Sequence, residues 1–335
     1  MTKYSLVALA ILGAQAAQAD VLTIPNESGF SGFVMAGVTA QEYQSNFFKG
    51  DKGEAKIDSV FQSPSHESSV QPLLGADLRY TFADTRTQLF LGNLIQDAVR
   101  YDLAQQFGVR QQVGTYGILS AGYVFSAMPA KTWADPYQVG RNRSKTDYKT
   151  QGARFAWDDI GGSHVNLAYT WRTSKVDSER SGEQLISLGQ LTRDEANLLD
   201  RNGNLHRVEL SYDWRLQQDQ TLTPAIIYKR ADLDGKAESS DTTHLQLTYA
   251  KTGPQWSLVG NVFGGKRSYD EANPIYGKKA NADEWGLNGT FFWHQLFGVD
   301  KLSGVLSAGW AESNSDINFY DTEMSTFSAG LMYSL

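Results

Sequence analysis

The last nine residues, Phe327 to Leu335, alternate without a break. Phe327, Ala329, Leu331, Tyr333 and Leu335 fall on one face of an extended chain, and Ser328, Gly330, Met332 and Ser334 fall on the other, the two-residue period of a β-strand. Upstream the same pattern returns with a harsher contrast: Val208, Leu210, Tyr212 and Trp214 alternate with Arg207, Glu209, Ser211, Asp213 and Arg215. A dry core cannot take that second face, so it must be wet. Strands with one face for hydrocarbon and one for water, repeated along a whole chain, leave few folds open.

A helical membrane protein is not among them. Beyond the N-terminus no stretch approaches the roughly 18 unbroken apolar residues that a spanning helix requires, so a membrane fold for this chain must be a closed barrel. A mean hydropathy of -0.40 does not argue against that, because a barrel shows lipid only every second residue. The 31 glycines, 12% aromatics and only 8 prolines favour an all-β protein. The absence of cysteine excludes disulfide staples and thiolate metal sites, and the formal charge of -7 argues against nucleic acid as a partner. Met1-Thr2-Lys3, the apolar run Ser5 to Leu12 and the small-x-small site Ala17-Gln18-Ala19 form a secretory signal peptide. The expected organisation is therefore a signal peptide over 1–19 and a β-barrel over 20–335.

Reading the alternation along the chain predicts about fourteen antiparallel strands in an up-and-down transmembrane barrel, an even number as bacterial single-chain barrels have. The face of the first strand, near Ser31 to Gln41, is ambiguous. Long connections follow the odd-numbered strands, including Met128 to Tyr148 and Ser174 to Asn204; short turns follow the even-numbered ones. Phe82, Trp157, Trp214, Tyr249, Trp256, Trp293 and Tyr333 fall at the short-turn ends, and Tyr43, Trp171, Tyr228, Trp285 and Trp310 at the long-loop ends, as two interfacial girdles require. The longest connection carries a helix signal, Thr192 with Glu195 three residues later and Asn202-Gly203 as a stop. Pro224 predicts a bulge near the start of its strand. A secreted β-sandwich or solenoid shares the alternation but explains neither the loop asymmetry nor the girdles.

The ending, with Gly330, an aromatic Tyr333 two residues from the end and a terminal Leu335, resembles the C-terminal signal of Gram-negative outer-membrane β-barrels, although the usual last residue there is phenylalanine. That resemblance implies export through the periplasm to the outer membrane, recognition by the barrel-assembly machinery through this strand, and contact with outer-membrane lipid and lipopolysaccharide. The strand number is similar to that of porin-like monomeric channels and fatty-acid transporters. The stretches Asp135-Pro136-Tyr137 and Asp200-Arg201-Asn202-Gly203 also resemble an uncharacterised proteobacterial domain-of-unknown-function family, which implies no activity.

The chemistry on offer is that of a lumen. The five histidines are His66, His164, His206, His244 and His294, and none stands in a local motif with serine or aspartate; only His244 faces inward. Asp200-Arg201-Asn202-Gly203-Asn204 imitates a calcium loop but has Ser211 where a bidentate glutamate belongs. No catalytic, cofactor or metal site is expected. The expected pore lining is Asp77, Arg79, Arg110, Arg154, Arg172, Arg207, Glu209, Asp213, Arg215, Lys229, His244 and Glu284, in which basic residues lead. These either brace a closed wall by pairing across strands or set a transverse field favouring anions. Arg141, Arg143 and Lys145 form a loop cluster that fits either a constriction or lipopolysaccharide phosphates. The expected function is an outer-membrane channel for passive diffusion of small polar solutes, monomeric by preference. The alternatives are a non-conducting surface protein with an adhesive or structural role and, third, an outer-membrane enzyme.

Overall fold

A computed structural model describes residues 23–48, 55–92, 105–126 and 130–335; the expected signal peptide over 1–19 lies outside them. Sixteen strands form one antiparallel sheet: β1 (Gly29–Gln44), β2 (His66–Phe82), β3 (Thr87–Gly92), β4 (Gln105–Gln112), β5 (Ile118–Phe125), β6 (Ala130–Trp133), β7 (Lys145–Asp158), β8 (Val165–Val176), β9 (Gly203–Tyr212), β10 (Trp214–Gln217), β11 (Gln220–Leu233), β12 (Ser240–Thr252), β13 (Trp256–Tyr269), β14 (Ala282–Trp293), β15 (Leu302–Ser315) and β16 (Thr322–Ser334). Fourteen of them make a closed ring, with β6 and β10 outside it. Two short helices, α1 (Glu183–Ser187) and α2 (Arg193–Asn197), sit in the β8–β9 loop.

Closure happens where the first and last strands meet. Gly37 pairs with Gly330 and Val38 with Ala329, and the last amide, Leu335 N, donates to Gly32 O at 3.0 Å. The backbones approach so closely there that a Cβ on Gly37 would stand 2.2 Å from Ala329 O, so glycine is required by contact rather than by conformation. The terminal strand thus completes a ladder with no free edge, which is what lets backbone amides survive in hydrocarbon.

The outside of the ring is oily and the inside is wet, the inverse of a soluble core. Leu245, Val262, Leu287, Phe155, Phe327 and Leu331 point outward and are 64%, 49%, 50%, 54%, 56% and 47% exposed, while Gln246, Thr290, Ser307 and Ser328 on the opposite face are buried. No sandwich or solenoid has this inversion. The faces of β1 are settled too, with Val34, Val38 and Ala40 outward and Phe33, Met35 and Thr39 inward. Trp256 pairs with Trp293 at the short-turn end, and Trp285 stacks edge-on against Trp310, 4.2 Å between ring centres, at the long-loop end. Tyr43 departs from the expected girdle: it follows the inward parity of β1 and its hydroxyl bonds the Glu67 carboxylate.

Several boundaries and local features differ from the sequence reading. β2 begins at His66 and β7 at Lys145, because serine, threonine and lysine are tolerated where a strand rises out of the apolar belt. The expected single helix near Thr192 is two, each of one turn; Thr192 caps the second through the reciprocal bonds with Glu195 that the spacing implied. The irregularity foreseen at the start of the Pro224 strand lies between Arg215 and Gln217, opposite Gln220 and Thr221.

The barrel interior and its loop cap as the candidate functional site

The period-two alternation places the charged residues of the wall inward, and packing brings most of them into pairs. On β2, Arg79 Nε donates to Asp77 Oδ1 at 2.6 Å; Arg110 lies 3.7 Å from Asp158 and donates to Gln88 at 3.2 Å. On β9, Arg207 donates to Glu209 at 2.8 Å. Asp213 stands outside that pair and accepts from Asn166 and Thr223, both at 2.7 Å. Higher up, Glu284 on β14 gathers three strands: His244 Nε2 lies 2.6 Å from one carboxylate oxygen and Arg267 2.5 Å from the other. Arg267 is absent from the expected lining because the apolar alternation fades at Gly264 and Gly265, just before it.

The remaining expected positions divide. Arg154 is buried and, with Asp158, Asn166, Glu209, Ser211 and Asp213, surrounds a polar cavity of about 30 Å³, room for a water or two. Arg172 and Lys229 are half-buried on the inner face. Arg215 keeps the inward parity but is exposed on β10 at the short-turn end, because the pairing with β8 ends at Tyr212 and only β11 continues alongside; it sits at the rim.

One arc of the inner wall is apolar, which the alternation did not announce. Phe33, Met35, Ala250, Val259, Phe292, Val305 and Met332 make a buried cluster with Leu73 toward the short-turn end. The sequence signal was there in strands that are apolar on both faces, such as Phe291-Phe292 and Leu331-Met332-Tyr333.

Above the ring, the long loops have a core of their own. Ile57, Val60, Tyr137, Leu185, Leu191, Leu199, Ala237, Tyr269, Ile317, Phe319 and Tyr320 form one buried cluster, with Phe47, Ile275 and Tyr276 packed on it. It draws on the β1–β2, β6–β7, β8–β9, β11–β12, β13–β14 and β15–β16 loops. Its centre is polar: the Tyr137 and Tyr320 hydroxyls lie 2.6 Å apart, both donate to Glu238 Oε1, and Asn273 donates to Tyr320 at 2.7 Å. Burial pushes the Glu238 carboxyl up to about 7, against the pull of its two tyrosine donors and of Arg201. Burial and then the Glu238 charge push the Tyr137 phenol well above its ordinary range.

The two stretches singled out in the sequence are the scaffold of this cap. Asp135 accepts from the Tyr137 and Gly182 amides at 3.0 Å and from Gln184 N at 3.1 Å, capping α1 from another loop; burial raises its carboxyl from the usual range. Arg201 donates to Trp133 O at 2.7 Å, Thr132 Oγ1 at 3.0 Å and Glu179 at 2.8 Å. Asp200 accepts from the backbone and side chain of Asn202, a turn rather than a metal loop. The loop cluster of three cations is split: Arg141 and Lys145 are exposed, whereas Arg143 is 5% exposed, donates to Asn46 O and Pro136 O at 3.0 and 3.2 Å and lies over the Trp133 ring. Arg143 therefore fits neither a constriction nor a lipid contact; its work is to tie loops together.

Among the described residues, no group of three or more histidines and carboxylates is placed to hold a metal ion. His206 bonds Tyr169 on the outer face at 2.8 Å, and His66 is the first residue of β2.

No curated protein matches the chain. Among solved structures it is similar to OmpT, an outer membrane protein of Vibrio cholerae, at 10% identity and a TM-score of 0.40, over 91% of this chain and 98% of that one. It is also similar to an anion-selective porin from Comamonas acidovorans at 8% identity and 0.40, over 92% and 100%, and to the CymD monoaromatic hydrocarbon channel at 11% and 0.44, over 97% and 94%. A family model matches residues 29–334, from the first strand to the last, and the chain belongs to that family, described as protein of unknown function, DUF2860.

Proposed function

We propose that the protein is an outer-membrane channel for small polar solutes, with a preference for anions, shut by its loop cap in the conformation described above. The observation that carries this reading is the set of inward charges. Arg79, Arg110, Arg154, Arg207 and Glu284 are all buried on the inner wall, where a dry interior makes ionised pairs costly and apolar side chains of similar volume would hold a wall as well. In a lumen that fills with water the same pairs cost little, and they offer a permeating ion successive partners. Basic side chains lead along the inner face, so the field favours anions.

Planar-bilayer recording of refolded protein tests this. Stepwise currents with an anion-biased reversal potential support the reading; silence at all voltages, salts and pH values removes it. The reading then favoured is a non-conducting surface protein, for which the apolar core shared by six loops is the supporting observation, since a rigid cap is also a platform for contacts outside the cell. The exposed Arg141 and Lys145 fit lipopolysaccharide phosphates, and Gly330, Tyr333 and Leu335 fit recognition by the assembly machinery.

A further inference from the structure

Glu238 sits in the middle of the loop cap, and three features set it apart. It is 8% exposed. Its side-chain donors, the Tyr137 and Tyr320 hydroxyls, come from two other loops, and Asn273 of a third loop bonds Tyr320 and, at 3.4 Å, Tyr137. None of the ion pairs among the described residues involves it: Arg201, the cation that pulls on it, is spent on Glu179 and on backbone carbonyls. The other titratable groups facing it are Tyr269 on β13, itself beside Arg267, Tyr276 on the β13–β14 loop, and Glu179 on the β8–β9 loop. Every one of these except Arg201 and Arg267 is neutral or negative, so an ionised Glu238 has no compensating charge in contact.

We propose that Glu238 is a proton-operated latch on the cap: protonated, it sits in the tyrosine nest and joins the loops; ionised, it leaves for water and the loops part. The proposal goes beyond the channel reading and rests on the cap's geometry, not on conduction.

Its sign follows from linkage. The closed cap holds the carboxyl at about 7, and an open, solvated loop returns it to its ordinary 4.5. The closed form therefore binds the proton more tightly, is fully favoured below about pH 4.5, and loses ground as pH rises to about 7. Over that window the closed-to-open ratio falls by roughly 300-fold, tenfold for each pKa unit.

The chain has no cysteine, so two spin labels can be placed cleanly at the exposed positions Gln190→Cys on the β8–β9 loop and Ala272→Cys on the β13–β14 loop. In lipid vesicles, the label distance should be single and narrow at pH 4.5 and should broaden and lengthen by pH 8.5, with the change falling between about 4.5 and 7. Glu238→Gln, which keeps the shape and cannot ionise, should stay narrow throughout. Tyr137→Phe removes a donor that steadies the ionised form inside the closed cap, so the loops should part at lower pH, which also serves if Glu238→Gln does not refold. Distances that ignore pH in the otherwise unaltered protein, or a transition that survives Glu238→Gln, overturn the latch. Currents recorded on the same samples separate the two readings: labels that part without conductance leave the latch and remove the channel, and conductance without parting does the reverse.

Discussion

Replacing Leu247 with arginine puts the membrane reading to a quantitative test. Leu247 lies on the outer face of β12, 41% exposed, between Pro224 on one side and Val262 on the other. Two residues toward the short turn is Tyr249 of the lower girdle, and four residues the other way Thr243 pairs with Tyr228 of the upper one, so Leu247 is near mid-depth in the apolar belt. An arginine facing lipid at the midplane of a barrel costs about 2–4 kcal/mol, falling to about 0–1 kcal/mol at the interfaces. Phe82→Arg, on the outer face at the end of β2 beside the Ala83–Arg86 turn, is the shallow control. Equilibrium unfolding by guanidinium in vesicles, followed by tryptophan fluorescence, should therefore show Leu247→Arg about 1–4 kcal/mol less stable than Phe82→Arg. Equal penalties at the two depths, or a Leu247→Arg penalty below about 0.5 kcal/mol, would refute a lipid-facing belt and with it the barrel's place in a membrane.

Other consequences follow from the interior and the cap. Neutralising Arg154, Arg172 and Arg207 together should move the bilayer reversal potential toward cations; unchanged selectivity would mean that these side chains do not meet the permeating ion. Arg143→Ala removes two carbonyl contacts and a cation–π contact from buried groups, and should cost the cap about 2–4 kcal/mol. Limited proteolysis within the loops should then speed up while the wall's own unfolding midpoint stays put. Thr192→Ala breaks the capping box of α2, which should loosen that turn by about 1 kcal/mol, visible as faster hydrogen exchange at the Glu195 amide and nowhere in the ring.

The wall was legible because its physics is local. A strand that must show lipid on one face and water on the other writes its burial into every second residue, and Val208 to Trp214 could be placed with no knowledge of their neighbours. Closure was legible for the same reason, since Gly330, Tyr333 and Leu335 announce the last strand before its partner is known. The apolar inner arc was less so: Phe292 and Val305 alternate correctly with Phe291 and Leu306, and only the register brings them together inside. The assembly of the cap was not legible, although its Thr192 capping box was. Tyr137, Glu238, Asn273 and Tyr320 are separated by as many as 183 positions, they share no period, and each reads alone as an ordinary loop residue. Arg143 shows the same limit from the other side, for a cation among Arg141 and Lys145 looks like a surface cluster until Trp133 closes over it.

The two halves of the molecule are held by opposite rules, and this bears on how the mouth can move. In the ring, stability comes from a continuous backbone ladder in a medium that offers the amides no alternative partner, so a strand cannot leave without exposing a row of unpaired groups to hydrocarbon. In the cap the loops meet in water, chiefly through side chains, and their apolar surfaces come together as in a soluble core. Breaking that core exposes apolar area but strands few backbone groups, because the amides freed there find solvent at once. The cap is thus the part that can open and close repeatedly while the wall stays intact. A single buried carboxylate at its centre can bias the change, because the apolar gain that closes the loop core is largely offset by the entropy of ordering the loops, and the small remainder is of the order of the linkage from one buried charge.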